Sequence, residues 1–195
     1  MPFGIVAAAG WASGINLYAT AFLLGLAGRL DWADTPPQLQ QTWVLVVAGG
    51  MYVVEFVVDK VPWLDSAWDV VHTAIRPIGG ALIGAALAAD AGSSEALAAL
   101  LGGGFSLSAH SAKASTRAAV NLSPEPFTNI GLSLFEDGVV VGLVVLALDH
   151  PAVAAVLSIV LAIASVIVAW LLVRTVRRFV ARWRARRTTK STRLA

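Results

Sequence analysis

Asp65, Asp69, His72 and Arg76 follow one another at intervals of four, three and four residues. At about 100° per residue a helix sets them near 0°, 40°, 340° and 20°, on one narrow face. The acids come first and the cation last, the order that favours the helix dipole. Carboxylates, an imidazole and a guanidinium on one line can pair with each other, pass on a proton or hold a small ion. His110, Lys113, Arg117 and Asn121 form a second line, near 0°, 300°, 340° and 20° on a helix of about 100° per residue. Ser106 extends it by a turn. The two lines are expected to face each other, with Lys113 and Arg117 against Asp65 and Asp69. Glu55 and Asp59 lie one turn apart, and Glu136 and Asp137 are adjacent. Asn16 and Asn129 stand beside glycine- and proline-rich breaks, where freed backbone groups and amides build ion sites in transporters.

Each set also has a plainer reading. The first line suits an amphipathic helix lying on a membrane surface, and the second a solvated helix end. The acid pairs suit helix ends at an interface, and the proline-rich break before Asn129 suits an ordinary exposed loop with a helix start. The apolar sequence around them decides between these readings.

The chain has 195 residues, 57% hydrophobic and 13% charged, with mean hydropathy +0.75. Soluble domains carry about 25% charged residues, and disordered chains need low hydrophobicity with high net charge. Both classes are excluded in favour of a membrane protein. Residues 151–173 are 23 residues without charge, roughly 34 Å of helix against a hydrocarbon core of about 30 Å. Residues 3–28 are also uncharged, but Gly10, Ser13, Gly14 and Asn16 interrupt them. Small and polar residues there suit close packing or a locally opened backbone.

The remaining apolar runs, 43–54, 77–89, 96–109 and 138–148, hold 11 to 14 residues each. A spanning helix needs about 20. Each run must therefore take in neighbouring ionisable residues or turn back as a half-helix. A charge left facing lipid costs about 2.5–3.5 kcal/mol, so the polar lines belong inside a bundle, paired or lining water.

The expected fold is an all-α integral membrane protein of about six transmembrane or partly re-entrant helices, over 3–28, 43–60, 63–89, 95–119, 127–148 and 151–180. Residues 1–173 form one membrane domain and 174–195 a basic tail. Gly10-Trp11-Ala12-Ser13-Gly14-Ile15-Asn16 echoes Gly104-Phe105-Ser106-Leu107-Ser108-Ala109-His110. Halves 1–92 and 93–173 would then form a 3+3 inverted repeat. Residues 174–195 carry nine basic residues and no acid, a charge of +9, against −7 over residues 1–173. The positive-inside bias places that tail in the cytoplasm, against anionic lipid headgroups. Six crossings would put the N-terminus on the same side. No cleavable signal peptide pattern precedes the first span.

Zero cysteines exclude disulfides and thiolate chemistry. Nucleophile elbow, P-loop, H-E-x-x-H and G-x-G-x-x-G motifs are all missing, so no enzyme and no cofactor is expected. His72 and His110 lie near acids without specific metal spacing, which leaves metal binding open. Gly102-Gly103-Gly104 suits close helix approach or a break. No nucleic-acid partner is expected.

The runs Gly10 to Tyr18, Glu55 to Pro62, His110 to Arg117, and Asn121 to Asn129 with Glu136-Asp137, taken together, resemble a bacterial membrane family known as domain of unknown function 4126. The resemblance covers roughly residues 5–148 and implies class and location, a multi-pass protein of the bacterial inner membrane, without a mechanism. Glu55 to Lys60 also resembles the E-x-G-D-K motif of lysine-exporter-type cation exchangers, with its acids one residue further apart and its glycine missing. The expected function is a small, homo-oligomeric transporter or ion permeation protein moving a cation, proton or small ionic solute. The alternative is a non-transporting scaffold stapled by salt bridges. A hydrated cavity reaching Glu55 or Glu136 would favour the first, and dry ion pairs the second.

Overall fold

The computed structural model describes residues 3–121 and 126–192, with side chains through Arg178 apart from Pro62 and Pro126. The expected break at Ser123-Pro124-Glu125 lies outside the described residues. So do the tail side chains from Phe179 onward, including Trp183 and the cations Arg182 to Arg193.

Seven helices and no strand occur among the described residues: α1 Phe3–Ile15, α2 Leu17–Arg29, α3 Thr42–Val58, α4 Pro62–Asp90, α5 Glu95–Val120, α6 Pro126–Asp149 and α7 Pro151–Thr192. Three described stretches, Trp63–Asp90, Phe127–Asp149 and Pro151–Arg178, are long and apolar enough to cross a membrane. They are compatible with a membrane protein.

The first expected span is two helices. Asn16 is extended, at φ −145° and ψ 98°, and its side chain accepts from the Ala19 N–H as the N-cap of α2. Gly10, Ser13 and Gly14 do not break the chain. The Ser13 hydroxyl donates to the Ala9 carbonyl at 2.6 Å, and both glycines serve packing. A Cβ on Gly10 would lie 2.7 Å from the Gly102 carbonyl oxygen, and one on Gly14 would run into the Ser106 carbonyl.

The two short helices reverse at Asn16. Asn16 lies beside Asp137, while Trp32, just past α2, donates to Asp149 at 3.3 Å. Phe3 and Gly4, at the start of α1, line one cavity with Trp32, Leu148 and Pro151. Both α1 and α2 therefore run along the same 137–149 stretch of α6. At about 1.5 Å per residue each is roughly 20 Å long, short of a bilayer core.

α1 is the centre of the bundle and packs against α2, α4, α5, α6 and α7. Small residues let its neighbours approach. Gly80 and Gly84 of α4 face Ala98, Gly102 and Ser106 of α5, where an added Cβ would meet the Ser106 side chain at Gly80 and the Ala98 carbonyl at Gly84. The glycine run thus brings helices together and α5 passes through it unbroken. α7 buries only Ala154, Ser158 and Ser165 among its described residues, a thin stripe at helical spacing, with Ser165 accepting from the Trp11 indole at 3.2 Å. The other described side chains of α7 and most of α3 expose Val, Ile, Leu and Trp, the surface expected to face lipid.

α1 and α5 run parallel, since Gly10 meets Gly102 and Gly14 meets Ser106. An inverted repeat needs these two elements antiparallel. The parallel pair lends the echo between Gly10–Asn16 and Gly104–His110 no support as such a repeat.

Candidate functional site

The sequence sets three cations on inward faces at intervals that reach several helices at once. Arg76 sits immediately before Pro77, inside α4. Its Nη2 donates to Glu55 Oε1 at 2.6 Å, and its Nη1 donates to Asp69 Oδ1 at 3.0 Å. Nη1 also donates to His110 Nδ1 at 2.8 Å. That contact makes Nδ1 the acceptor, so Nε2 carries the His110 proton and gives it to Thr73 Oγ1 at 3.1 Å. The Thr73 hydroxyl donates in turn to the Asp69 carbonyl. Ser106 donates to the Arg76 carbonyl at 2.8 Å.

One turn along α5, Lys113 donates to Asp59 Oδ2 at 2.6 Å, with Glu55 and Glu136 each 3.7 Å away. It also donates to the Ile15 carbonyl at 3.1 Å. In an unbroken helix that carbonyl would accept the Ala19 N–H, which Asn16 takes instead. The hairpin tip is thus tied to the charged interior by its own unpaired backbone.

Arg117 comes next. It donates to Glu136 Oε2 at 2.5 Å, Asn129 Oδ1 at 2.7 Å and the Asp59 carbonyl at 3.0 Å, with Asp65 at 3.9 Å. Asn129 returns a bond to the Asp59 carbonyl. Asn121 at the rim donates to Asp65 Oδ2 at 3.0 Å and to Ser66. Asn16 donates to Asp137 Oδ1 at 3.2 Å.

The two polar lines face each other as expected, and neither is a solvated surface. Asp65, Asp69, His72, Arg76, His110, Lys113 and Arg117 are each at most 5% exposed. The partners differ in part. Lys113 pairs with Asp59, and Asp69 pairs with Arg76 of its own helix. His72 lies to one side, stacked on Trp68. Its Nδ1 donates to the Trp68 carbonyl and its Nε2 accepts from the Tyr18 hydroxyl at 3.0 Å. Tyr18 and Thr73 were not among the sequence candidates. Tyr18 follows Asn16 by two residues and Thr73 adjoins His72, but neither falls on a charged line. In the α3–α4 turn the Lys60 ammonium donates to the Phe56 carbonyl at 2.7 Å, and burial lowers its pKa from the ordinary lysine value.

Among the described residues the interior buries six acids, Glu55, Asp59, Asp65, Asp69, Glu136 and Asp137, against three cations. Glu55 Oε2, Asp59 Oδ1, Asp65 Oδ1, Asp69 Oδ2 and Asp137 Oδ2 are buried without a hydrogen-bond partner. A cavity of about 230 Å³ between α4 and α5, lined by Ser66, Asp69, Thr73 and Arg117, reaches this cluster from outside. No group of three or more His, Asp or Glu side chains among the described residues is arranged to hold a metal ion.

A family model described as domain of unknown function 4126 matches residues 3–174. The chain belongs to this family. The match runs through the apolar part of α7, beyond the 5–148 expected from the sequence motifs. No curated protein and no solved structure gives a significant match.

Proposed function

We propose that this member of the family is a small ion permeation protein that moves a proton or cation through its charged interior. Five helices, α3 to α7, would cross the membrane. The α1–α2 hairpin would enter from the Phe3 end and stop at Asn16. Exposed tryptophans support these limits: Trp32 and Trp43 at one end, Trp63 and Trp170 at the other, as interfacial belts are built. From Pro151 to Trp170 is roughly 29 Å of helix, close to the hydrocarbon thickness of about 30 Å. Arg174 stacks on Trp170, 4.9 Å from the ring, and opens the basic tail. The positive-inside bias would make that side cytoplasmic, with the tail against anionic lipid.

The observation that carries the proposal is the excess of buried acids over buried cations. Carboxylates at membrane depth are expensive and mark ion or proton pathways, and an unmatched carboxylate has no purely structural partner to stabilise. The cavity at Asp69 and Arg117 offers entry from the Asn121 end. The hairpin, held by Lys113 and Asp137, closes the other.

One observation favours a different reading. Glu55 and Arg76 are both fully enclosed, the arrangement of a structural staple in a scaffold. Flux into proteoliposomes with protons and a panel of cations separates the two. The permeation reading expects flux that Glu55→Gln and Glu136→Gln each reduce at least tenfold. Wild-type vesicles impermeable to every ion tested would leave the scaffold. Flux that both substitutions leave unchanged would remove these residues from the pathway.

A further inference from the structure

Asp137 stands apart from the other buried acids. Glu55, Asp59, Asp65, Asp69 and Glu136 each lie within 4.0 Å of a cation nitrogen. Asp137 is 8% exposed and has no such contact among the described residues. Its single hydrogen bond comes from the Asn16 amide at 3.2 Å, and its Oδ2 is buried without a partner.

The groups around it offer little compensation. α1 contributes no ionisable side chain, and neither does α7 before Arg174. From α5 comes Lys113, and from the end of α3 and its following turn come Asp59 and Lys60. Tyr52 of α3 is its other titratable neighbour, and Glu136 precedes it on α6. Lys113 is already committed to Asp59 and the Ile15 carbonyl, and Lys60 to the Phe56 carbonyl. An isolated buried carboxylate is costly unless it is paired or neutralised. Without a metal-holding group in reach among the described residues, the smallest neutralising ligand is a proton.

We infer that Asp137 is the exchangeable proton site of the interior. Uptake forms one O–H bond at Oδ2 and cancels one negative charge. Release to water or to a neighbouring group breaks that bond and restores the carboxylate. Because the same carboxylate anchors Asn16, the state of the proton bears directly on the contact that holds the hairpin tip. This inference rests on the permeation reading for its role in transport, but not for the proton itself.

The test is infrared difference spectroscopy on the full chain in lipid vesicles, read at the carbonyl stretch of a neutral carboxylic acid. A band should be present, shift in heavy water, grow as pH falls and fade as it rises. Asp137→Asn should abolish it and Asp137→Glu should move it, while Asp90→Asn, at an exposed helix end, should leave it in place. No band in the wild type, or a band that neither Asp137 variant alters, would overturn the assignment. If Asp137→Asn fails to fold, the shift in Asp137→Glu decides alone. Proton flux in the same vesicles is read separately. A band that behaves as expected without flux keeps the proton site and removes the permeation reading. Cation flux with no band does the reverse.

Discussion

Lys113 donates at 2.6 Å to Asp59 and at 3.1 Å to the Ile15 carbonyl, with Glu55 and Glu136 both 3.7 Å away. Replacing it with an apolar residue leaves buried acids uncompensated, a change that costs about 3–5 kcal/mol. Lys113→Met should therefore lower the denaturation midpoint in detergent steeply. Asp137→Asn should cost less than about 1.5 kcal/mol, since no cation pairs with Asp137 and an amide oxygen there can still accept from Asn16. Equal losses in the two variants would refute the account of Lys113 as the charge that holds the interior together. Membership of the cluster was legible in the sequence, because undersized apolar runs on four segments drew one flanking polar group inward each, Glu55, Arg76, His110 and Asp137, while Asp90, Glu95 and Asp149 stayed exposed. Exact pairing was not. Whether Lys113 meets Asp59 or Asp69 depends on how the end of α3 and the face of α4 each sit against α5, and spacing within one helix does not record that. Tyr18 and Thr73 escaped because a lone hydroxyl leaves no periodic signal.

At the scale of elements, the glycine run on α5 shows what sequence can and cannot say. Gly102 and Gly104 look alike in the chain, yet a Cβ at Gly102 would run into the Gly80 carbonyl, and one at Gly104 would meet nothing within 4 Å. Gly102→Ala should separate α4 from α5 at a cost of about 1–3 kcal/mol. Gly104→Ala should be neutral or add up to about 1 kcal/mol, because alanine is the better helix former. Thermal melts of the two variants test the pair together, and a reversed order would mean that the α4–α5 seam is placed wrongly. Boundaries of α3 to α6 and the start of α7 fall within a few residues of those expected, since Asp-Thr-Pro-Pro, Ala-Gly-Ser-Ser and Asp-His-Pro are strong local stops, while α7 runs on to Thr192, past the expected end at 180. The first span differed because one extended residue, Asn16, turns α1 back along its own path. A single asparagine amid apolar residues signals a polar contact or an opened backbone, but not the direction in which the next helix leaves.

For the whole molecule, that reversal changes which ends share a side. Phe3, Trp32, Leu148 and Pro151 border one cavity, and α5 starts at the same end because it runs parallel to α1. A crossing first segment would instead put Phe3 beside Thr175, on the side of the basic tail. The two arrangements agree on every loop after Asp34 and disagree only about the start of α1, so that is where the measurement belongs. The chain has no cysteine, which leaves single introduced thiols as clean reporters. In oriented vesicles, Phe3→Cys should react with an impermeant maleimide from the same side as Asp34→Cys and Ser93→Cys. Thr175→Cys should react only from the other. Labelling of Phe3→Cys together with Thr175→Cys would restore six crossings and remove the hairpin as the closure of the Phe3 end. The charged interior would then need a different barrier on that side, because the contacts from Lys113 and Asp137 to the hairpin tip would no longer separate it from water.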